Sequence, residues 1–251
     1  MKALITGASS GIGLEIAKYL AKKKYELILV ARSKEKLESL QQQLPTKTTI
    51  IATDLSNEQK VKELYIVTRK EDIDIVVNNA GFGICDDYEN ITLSKEIEMI
   101  NTNVKAVQIL TKSFLRDMIK KDSGYILNVA SIAGLQPGGP LMSSYYASKS
   151  YVCSLTSGIN YELNKRKSKV QVSCLCPGPV NTNFNNVAGV KFSLKGIDAK
   201  YVAKYAIDKM LEGKRIIIPG TKMKIVAFFK KFLPDSLILN VAYKVQKKKQ
   251  Q

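Results

Sequence analysis

Short apolar runs alternate along this chain with longer segments of helical periodicity. The apolar runs cover residues 3–6, 27–31, 49–52, 73–77, 125–129, 170–176 and 215–218. Segments with apolar residues at helical spacing lie between them, at 12–22, 34–43, 57–70, 95–120, 144–165 and 199–211. Continuously apolar strands alternating with helices favour a parallel sheet covered on both faces. The pattern therefore predicts an α/β fold, a doubly wound parallel sheet (Rossmann fold) of about seven strands with helices on both faces.

The chain shows no linker, low-complexity segment or internal repeat, so residues 1–251 are predicted to form a single domain. Two irregular stretches, 132–143 and 178–196, follow strand ends, where open α/β sheets bind their ligands. We expect residues 183–198 to form a substrate loop and residues 221–251 to form a C-terminal helical extension. The loop predicts an apolar substrate because it contains Phe184, Val187, Val190 and Phe192.

A glycine-rich loop follows the first predicted strand and reads Thr6-Gly7-Ala8-Ser9-Ser10-Gly11-Ile12-Gly13. Gly7 permits a tight turn and a close approach of the backbone to a pyrophosphate, and Gly13 lets the next helix pack against the sheet. Phosphates would then lie at the positive end of that helix. Glycines alone also occur in flexible loops, but a strand before and a helix after them favour dinucleotide binding.

The spacing T-G-x-x-x-G-x-G resembles the short-chain dehydrogenase/reductase family, and further motifs extend the resemblance over nearly the whole chain. Asp54-Leu55, the N-N-A-G turn at 78–81 and the P-G-P-V-N-T segment at 177–182 each follow a predicted strand, in family order. The resemblance implies that Asp54 contacts the adenine, Thr182 the nicotinamide carboxamide, and Val180 the ring through its backbone. The cofactor contacts it implies are Gly7, Ser9, Ser10, Gly11, Ile12, Gly13, Asp54, Leu55, Asn79, Ala80, Gly81, Tyr145, Lys149, Pro177, Gly178, Val180 and Thr182.

The end of the second strand predicts which nicotinamide cofactor is bound. NAD-binding folds need a carboxylate here for the ribose 2′-hydroxyl, but the chain reads Ala31-Arg32-Ser33. Ala31 leaves room, Arg32 can pair with a 2′-phosphate through its planar fork, and Ser33 can add a hydrogen bond. The alternative is that Arg32 is only a solvated residue at a helix start. The sequence favours NADP (NADPH).

Three residues carry the predicted reaction chemistry: Ser131, Tyr145 and Lys149. Tyr145 and Lys149 are four apart and share a helix face. The pKa of a free tyrosine is about 10, and we expect the lysine cation and the oxidised nicotinamide to favour the phenolate. Tyr145 would act as general acid or base, and Ser131 would hold the substrate oxygen. Tyr146 is the competing tyrosine, but the residue four positions after it is Ser150, which carries no charge.

The resemblance also implies a catalytic asparagine on the long helix after the N-N-A-G turn. Asn103, followed by Val104 and then Ala106, fits the family position, and Asn101 is the alternative. Asn103 would hold a water that relays protons to Lys149.

These assignments predict an NADPH-dependent oxidoreductase that interconverts a ketone or other carbonyl and a secondary alcohol. Two alternatives are a cofactor-binding regulatory protein without turnover, and a protein that docks on a membrane surface or a carrier. The chosen residues favour the enzyme. Because family members commonly form oligomers through two long helices, the resemblance implies a dimer or tetramer.

The composition limits the partners. The net charge of +17 favours acidic partners, but no basic patch interleaved with aromatic residues indicates nucleic acid. The chain has no histidine, so we expect no metal site. Cys174 and Cys176 are expected to be core residues that face opposite sides of their strand rather than a redox pair. The chain starts with a strand rather than a signal peptide, and no run reaches the ~18 apolar residues of a membrane span, so a reducing cytoplasmic setting is expected.

The segment 222–233 predicts an amphipathic helix that ends before Pro234. Its apolar stripe is interpreted as packing over the substrate pocket or against another subunit, and contact with an anionic membrane is the minority alternative. The stripe consists of Ile225, Phe228, Phe229, Phe232 and Leu233.

Overall fold

A seven-stranded parallel sheet in the order β3-β2-β1-β4-β5-β6-β7 forms the centre of the molecule. We describe a computed structural model that covers residues 1–182, 184 and 196–250. The strands are β1 (Lys2–Thr6), β2 (Glu26–Ala31), β3 (Thr48–Ala52), β4 (Ile75–Asn78), β5 (Tyr125–Val129), β6 (Gln171–Leu175) and β7 (Ile216–Ile217). The predicted doubly wound fold is confirmed, with boundaries within two residues of those expected.

Helices cover both faces of the sheet, because alternate residues of each strand point to opposite sides. On β1, Ile5 packs with one buried cluster and Leu4 with another on the opposite face. The helices are α1 (Gly11–Lys22), α2 (Lys34–Gln43), α3 (Glu58–Thr68), α4 (Leu93–Ile100), α5 (Ala106–Lys121), α6 (Ser143–Lys165), α7 (Ala199–Leu211), α8 (Thr221–Phe229) and α9 (Asp235–Gln250). Buried side chains of α1, α2 and α7 lie in the first cluster, and those of α3, α5 and α6 in the second.

The strand order reverses at β1, which pairs with β2 on one side and β4 on the other. Chains that leave the carboxyl ends of β1 and β4 therefore separate, one to each face, and leave a crevice. The glycine loop after β1 and the N-N-A-G turn after β4 both begin at this point. The fold thus places the two motifs at the position where ligands bind in such sheets.

The predicted long helix 95–120 is interrupted. Helix α4 ends at Ile100, a wider π turn spans Asn101–Lys105, and α5 follows from Ala106. Such turns insert an extra residue into a helix and are frequent at functional sites. The turn carries both candidate asparagines, Asn101 and Asn103.

A buried network of polar side chains ties β4 and β5 to α5 and α6. The Nδ2 atom of Asn78 donates to Asn128 Oδ1 at 2.8 Å and to Thr111 Oγ1 at 3.1 Å, and Asn128 Nδ2 donates to Thr156 Oγ1 at 3.0 Å. The Thr111 hydroxyl also donates to Asn128 Oδ1 at 3.1 Å. All four side chains are buried, so these hydrogen bonds pair polar groups that water does not reach, although Asn78 Oδ1 has no partner among the described residues.

Three cysteines meet in the core beside β6. The sulfur atoms of Cys153, Cys174 and Cys176 lie 3.6 Å from one another. The expectation that Cys174 and Cys176 face opposite sides is wrong, because residues two apart on extended chain point the same way. They are buried core residues as predicted, packed with Val152 and Ala130. That the chain binds no metal stays a prediction.

The C-terminal extension forms two helices, α8 and α9, joined by a short 3-10 turn at Lys230–Phe232 and by Pro234. The predicted stripe on its first half does not pack over the pocket, since Phe228 and Phe232 are 56% and 71% exposed, and its packing against another subunit stays a prediction. Among the described residues, no helix is both long and apolar enough to cross a membrane. The single-domain assignment, the substrate loop and the bounds of the extension stay predictions.

Candidate active site

The glycine loop fits closely against the N-N-A-G turn. Gly7 and Gly11 have φ angles of +65° and +56°, in the left-handed region that favours glycine. A Cβ atom added to Gly7 would lie 2.7 Å from Asn79 Nδ2, and one added to Gly13 would lie 2.4 Å from the same atom. Side chains at these positions would therefore push the two segments apart.

Hydrogen bonds hold that contact in place. The Asn79 amide donates to the carbonyl oxygens of Thr6 and Gly7 at 3.0 and 3.1 Å. The Thr6 hydroxyl accepts from the backbone N–H groups of Asn79 and Ala80 at 2.9 and 3.1 Å. The loop is thus a rigid turn that ends in the first residues of α1.

The amino end of α1 is open toward the crevice. Helix α1 begins at Gly11, and the side chain of its capping residue Ser10 makes no hydrogen bond to the helix. The first backbone N–H groups of a helix have no partner within it and attract anions. This end of α1 can therefore hold a phosphate group.

A cavity of about 460 Å³ runs along the carboxyl ends of the strands. Gly13 and Asn103 are not among its lining residues: Gly13 packs behind the loop, and Asn103 is fully buried beneath the turn. Every other predicted site residue lines the cavity: Gly7, Ser9, Ser10, Gly11, Ile12, Arg32, Ser33, Asp54, Leu55, Asn79, Ala80, Gly81, Ser131, Tyr145, Lys149, Pro177, Gly178, Val180 and Thr182.

Arg32 lies at one end of the cavity and is already paired. Its guanidinium is 3.3 Å from a carboxylate oxygen of Glu98, and the arginine side chain is 67% exposed. Lys36, in the first turn of α2, lines the same end of the cavity and was not predicted from the sequence. The available signal was its spacing three residues after Ser33, since residues three apart lie near one another on a helix surface.

Tyr145 lies at the other end of the cavity with only 8% of its surface exposed. Burial raises its pKa to about 12, and a hydrogen bond with the Ser131 side chain acts in the opposite direction. Loss of hydration outweighs the effect of Ser131 on this pKa. Tyr145 is therefore a protonated, neutral phenol in this structure. That the lysine cation and the oxidised nicotinamide together favour the phenolate stays a prediction.

Lys149 is buried beneath Tyr145, one helical turn along α6. Its Nζ atom donates to the carbonyl oxygen of Val129 at 3.0 Å and lies 5.9 Å from the centre of the Tyr145 ring. Burial lowers the pKa of Lys149 to about 8. The lysine can therefore lose or gain a proton near neutral pH.

Asn103 links the π turn to the residues around Lys149. Its Oδ1 accepts from the backbone N–H of Phe82 at 3.0 Å, and its Nδ2 donates to Phe82 O at 2.8 Å and to Ser148 Oγ at 3.1 Å. A Cβ atom on Gly81 would lie 2.8 Å from Asn103 Oδ1 and 3.2 Å from Lys149 Nζ. The absence of a side chain at Gly81 therefore leaves room for Asn103 and Lys149 to approach one another. These contacts favour Asn103 over Asn101 as the predicted asparagine.

Ser131 caps the short 3-10 turn that follows β5. Its Oγ accepts from the backbone N–H of Ala133 at 3.1 Å, and its side chain reaches Tyr145. A hydroxyl and a phenol at the same point of the cavity can both hydrogen-bond one carbonyl oxygen.

Apolar side chains and α9 complete the substrate end of the cavity. Phe184 packs against Tyr145 with ring centres 5.5 Å apart, and Met142 also lines the space. Gln246 of α9 donates to the Tyr146 hydroxyl at 2.9 Å and lines the cavity as well. Sequence reasoning missed Met142 and Gln246, because neither lies in a recognisable motif. Val187, Val190 and Phe192 lie outside the described residues.

Comparisons with known proteins agree on the type of protein. A family model described as short chain dehydrogenase matches residues 1–190. An uncharacterized oxidoreductase of Staphylococcus aureus is 32% identical over 217 residues, which cover 85% of this chain and 92% of that protein. The bovine dehydrogenase/reductase SDR family member 11 is 32% identical over 192 residues, covering 72% of this chain and 75% of its own.

Solved structures share the fold. A short-chain dehydrogenase from Sphingobium yanoikuyae in complex with NADPH superposes with a TM-score of 0.81, 27% identity and 88% coverage of each chain. A short chain dehydrogenase/reductase from Burkholderia phymatum in complex with NAD superposes with a TM-score of 0.83 and 92% coverage of each chain, but at 23% identity it speaks for the fold alone.

Proposed function

This chain belongs to the short-chain dehydrogenase family, and we propose that it is an NADPH-dependent oxidoreductase that interconverts an apolar ketone, or a related carbonyl compound, and a secondary alcohol. One observation carries the proposal. The Tyr145 phenol, with Ser131 and Lys149 beside it, lines the same cavity as the glycine loop. A dinucleotide held by the loop and a carbonyl held by Tyr145 would then be neighbours.

The residues of the crevice fit a dinucleotide. Gly7 and Gly11 line the cavity without side chains, so a pyrophosphate can approach the backbone there, and the open end of α1 suits its negative charge. The nicotinamide end would be held by Thr182 and by the backbone of Val180. When bound, NADPH supplies the hydride.

Two cations favour NADP over NAD. Arg32 and Lys36 line the end of the cavity where the adenosine would lie, and β2 ends there without a carboxylate. A ribose 2′-phosphate could pair with both, while the 2′-hydroxyl of NAD would leave Arg32 with Glu98. The Sphingobium relative of known structure is in complex with NADPH, which agrees with this preference.

Tyr145 is suited to deliver a proton. Its raised pKa, about 12, keeps the phenol protonated at neutral pH, so it can donate to a carbonyl oxygen as that oxygen gains negative charge. The Ser131 hydroxyl would hold the same oxygen in place. Lys149 and Asn103 lie beneath the phenol and would return the proton to it, with a water held at Asn103.

The substrate end favours apolar molecules. Phe82, Met142, Tyr146 and Phe184 line it, and Gln246 adds a polar group at its edge. A cavity with apolar walls and few polar groups binds apolar molecules, and a single hydrogen-bonded oxygen is then enough to orient them. A homo-oligomer, dimer or tetramer, remains part of this proposal by analogy with the family.

A panel of ketones that differ in size tests the proposal. The purified protein, with NADPH, is expected to convert apolar ketones to secondary alcohols, measured by chromatography of the product. Replacing NADPH by NADH should lower the turnover at equal concentration. Tight NADPH binding without alcohol formation from any ketone would favour a regulatory protein over an enzyme.

A further inference from the structure

The C-terminal segment, residues 221–250, exposes large apolar side chains on its outer side. Phe228, Phe229 and Phe232 are 56%, 59% and 71% exposed. The Phe228 ring contacts the other two, with ring centres 5.5 and 5.6 Å apart. On α9, exposed apolar residues recur every four positions. We call this surface the apolar face; it comprises Ile225, Val226, Phe228, Phe229, Phe232, Leu233, Leu237, Val241 and Val245.

The other side of the segment is fixed to the rest of the molecule. Ala227 is buried, and Met223 lies against Gly178, where an added Cβ would be 2.7 Å from the methionine side chain. Leu239 packs near Gly138, and Gln246 is bonded to Tyr146. Because the inner side is anchored, the apolar face is a fixed outer surface of the folded protein.

Exposed lysines accompany the apolar face along both helices. Residues 221–251 contain eight lysines and one acidic residue, Asp235. The exposed lysines among the described residues of the segment are Lys222, Lys224, Lys244, Lys247 and Lys248. Anionic lipid headgroups complement these lysines, and the acyl region complements exposed phenylalanines. A second copy of the chain would instead bring two sets of lysines together, which like-charge repulsion opposes.

We propose that this segment binds the surface of an anionic lipid bilayer, with the apolar face at the boundary of the acyl chains and the lysines among the headgroups. The association is peripheral, because no described helix is suited to cross a membrane. Gln246 lies both on this segment and in the cavity lining, so docking brings the cavity toward the lipid. This last point rests on the proposed function, since it implies a membrane-dissolved carbonyl substrate.

Sedimentation with lipid vesicles tests the docking without any measurement of activity. The full-length protein should bind vesicles that contain phosphatidylglycerol and remain in solution with vesicles of phosphatidylcholine alone. The triple variant Phe228→Ser/Phe229→Ser/Phe232→Ser should bind anionic vesicles at least about tenfold more weakly. As a matched control, Ile66→Ser/Val67→Ser removes two exposed apolar residues of α3 and should bind like the wild type.

The contribution of the lysines to vesicle binding is tested with separate variants, so that the conclusion does not depend on the phenylalanine variant alone. Lys244→Gln/Lys247→Gln/Lys248→Gln should weaken vesicle binding by about fivefold per lysine removed. Lys165→Gln/Lys167→Gln/Lys169→Gln, before the amino end of β6, should leave it unchanged. Equal binding to neutral and anionic vesicles, or full binding by both segment variants, would overturn the proposal. So would a wild-type dimer that the phenylalanine variant dissociates, because the face would then be a subunit interface.

Discussion

The chemistry of the site depends most on two buried residues, Tyr145 and Lys149. The ionised form of the tyrosine is negative and that of the lysine is positive. Burial raises the pKa of Tyr145 to about 12 and lowers that of Lys149 to about 8, because in both cases it favours the neutral form. From the sequence one expects the lysine charge to favour the phenolate. The effect of burial could not be predicted, because sequence spacing shows which residues are neighbours but not how far water is excluded from them.

Lys149 should give the protein a measurable dependence of stability on pH. Its pKa falls from 10.5 to about 8 on folding, so between these values the unfolded chain binds a proton that the folded chain does not. The free energy of unfolding should therefore rise as pH rises through this window. Relative to Lys149→Met, the wild type should gain roughly 2 kcal/mol between about pH 7.5 and about pH 9.5.

Urea unfolding at the two pH values measures this gain. Lys165→Met, in the exposed last turn of the same helix, is the matched control and should follow the wild type. If the wild type and Lys149→Met show the same dependence on pH, the folded-state pKa of Lys149 is not lowered.

Arg32 has two competing partners in the proposed complex. Arg32→Ala should remove roughly 1.5–3 kcal/mol of the preference for NADPH over NADH, the value of a charge-assisted hydrogen bond. Glu98→Gln frees the arginine and should tighten NADPH binding up to about fivefold, since a surface ion pair is worth at most about 1 kcal/mol. Titration of both cofactors by fluorescence measures these changes. Equal affinity of the wild type for NADPH and NADH would contradict the role of Arg32.

At the scale of elements, the sequence predicts most of the framework. Strands with continuous apolar runs, such as β1 and β5, are assigned within one residue because nothing else in a chain of this type has that pattern. The π turn at Asn101–Lys105 could not be predicted, since an inserted residue leaves the helical periodicity almost unchanged. The short β7, by contrast, lies within the predicted apolar run 215–218, although only two of its residues are paired.

The buried network around Asn128 should be important for stability. Asn128→Ala would remove one hydrogen-bond partner each from the amide of Asn78 and from the hydroxyls of Thr111 and Thr156 in the core. The expected loss is roughly 2–4 kcal/mol in the free energy of unfolding, from urea titration. Thr156→Val removes a single acceptor and should cost less. A loss below about 1 kcal/mol for Asn128→Ala would indicate that water replaces the missing groups.

At the scale of the whole molecule, the cavity is assembled from both ends of the chain. The glycine loop lies near the start, and Gln246 near the end. Sequence motifs predict the glycine loop, because phosphate binding restricts the residue types that can stand there. They do not predict the role of Gln246, because a helix that covers a cavity needs only a suitable shape and no particular residues. The sequence therefore identifies the cofactor half of the site more completely than the substrate half.

The cover formed by α9 should affect large substrates more than small ones. Gln246→Ala removes the hydrogen bond to Tyr146 and a wall of the cavity, so KM for a bulky apolar ketone should rise several-fold while KM for a small ketone changes little. Val241→Ala, on the exposed side of the same helix, is the control and should leave both values unchanged. Equal effects of the two variants would show that α9 is not part of the substrate site.

The rate of ketone reduction by Tyr145→Phe, compared with Tyr146→Phe, tests the central claim most directly. Single-turnover experiments with saturating NADPH follow alcohol formation, and NADPH binding is measured beside them. Tyr145→Phe should keep the fold and bind NADPH as the wild type does, yet reduce ketone roughly 10²–10⁴-fold more slowly, because the carbonyl oxygen has lost its proton donor. Tyr146→Phe should remain within a few-fold of the wild type. If Tyr146→Phe proves the more damaging change, or neither matters, then Tyr145 is not the general acid of this enzyme.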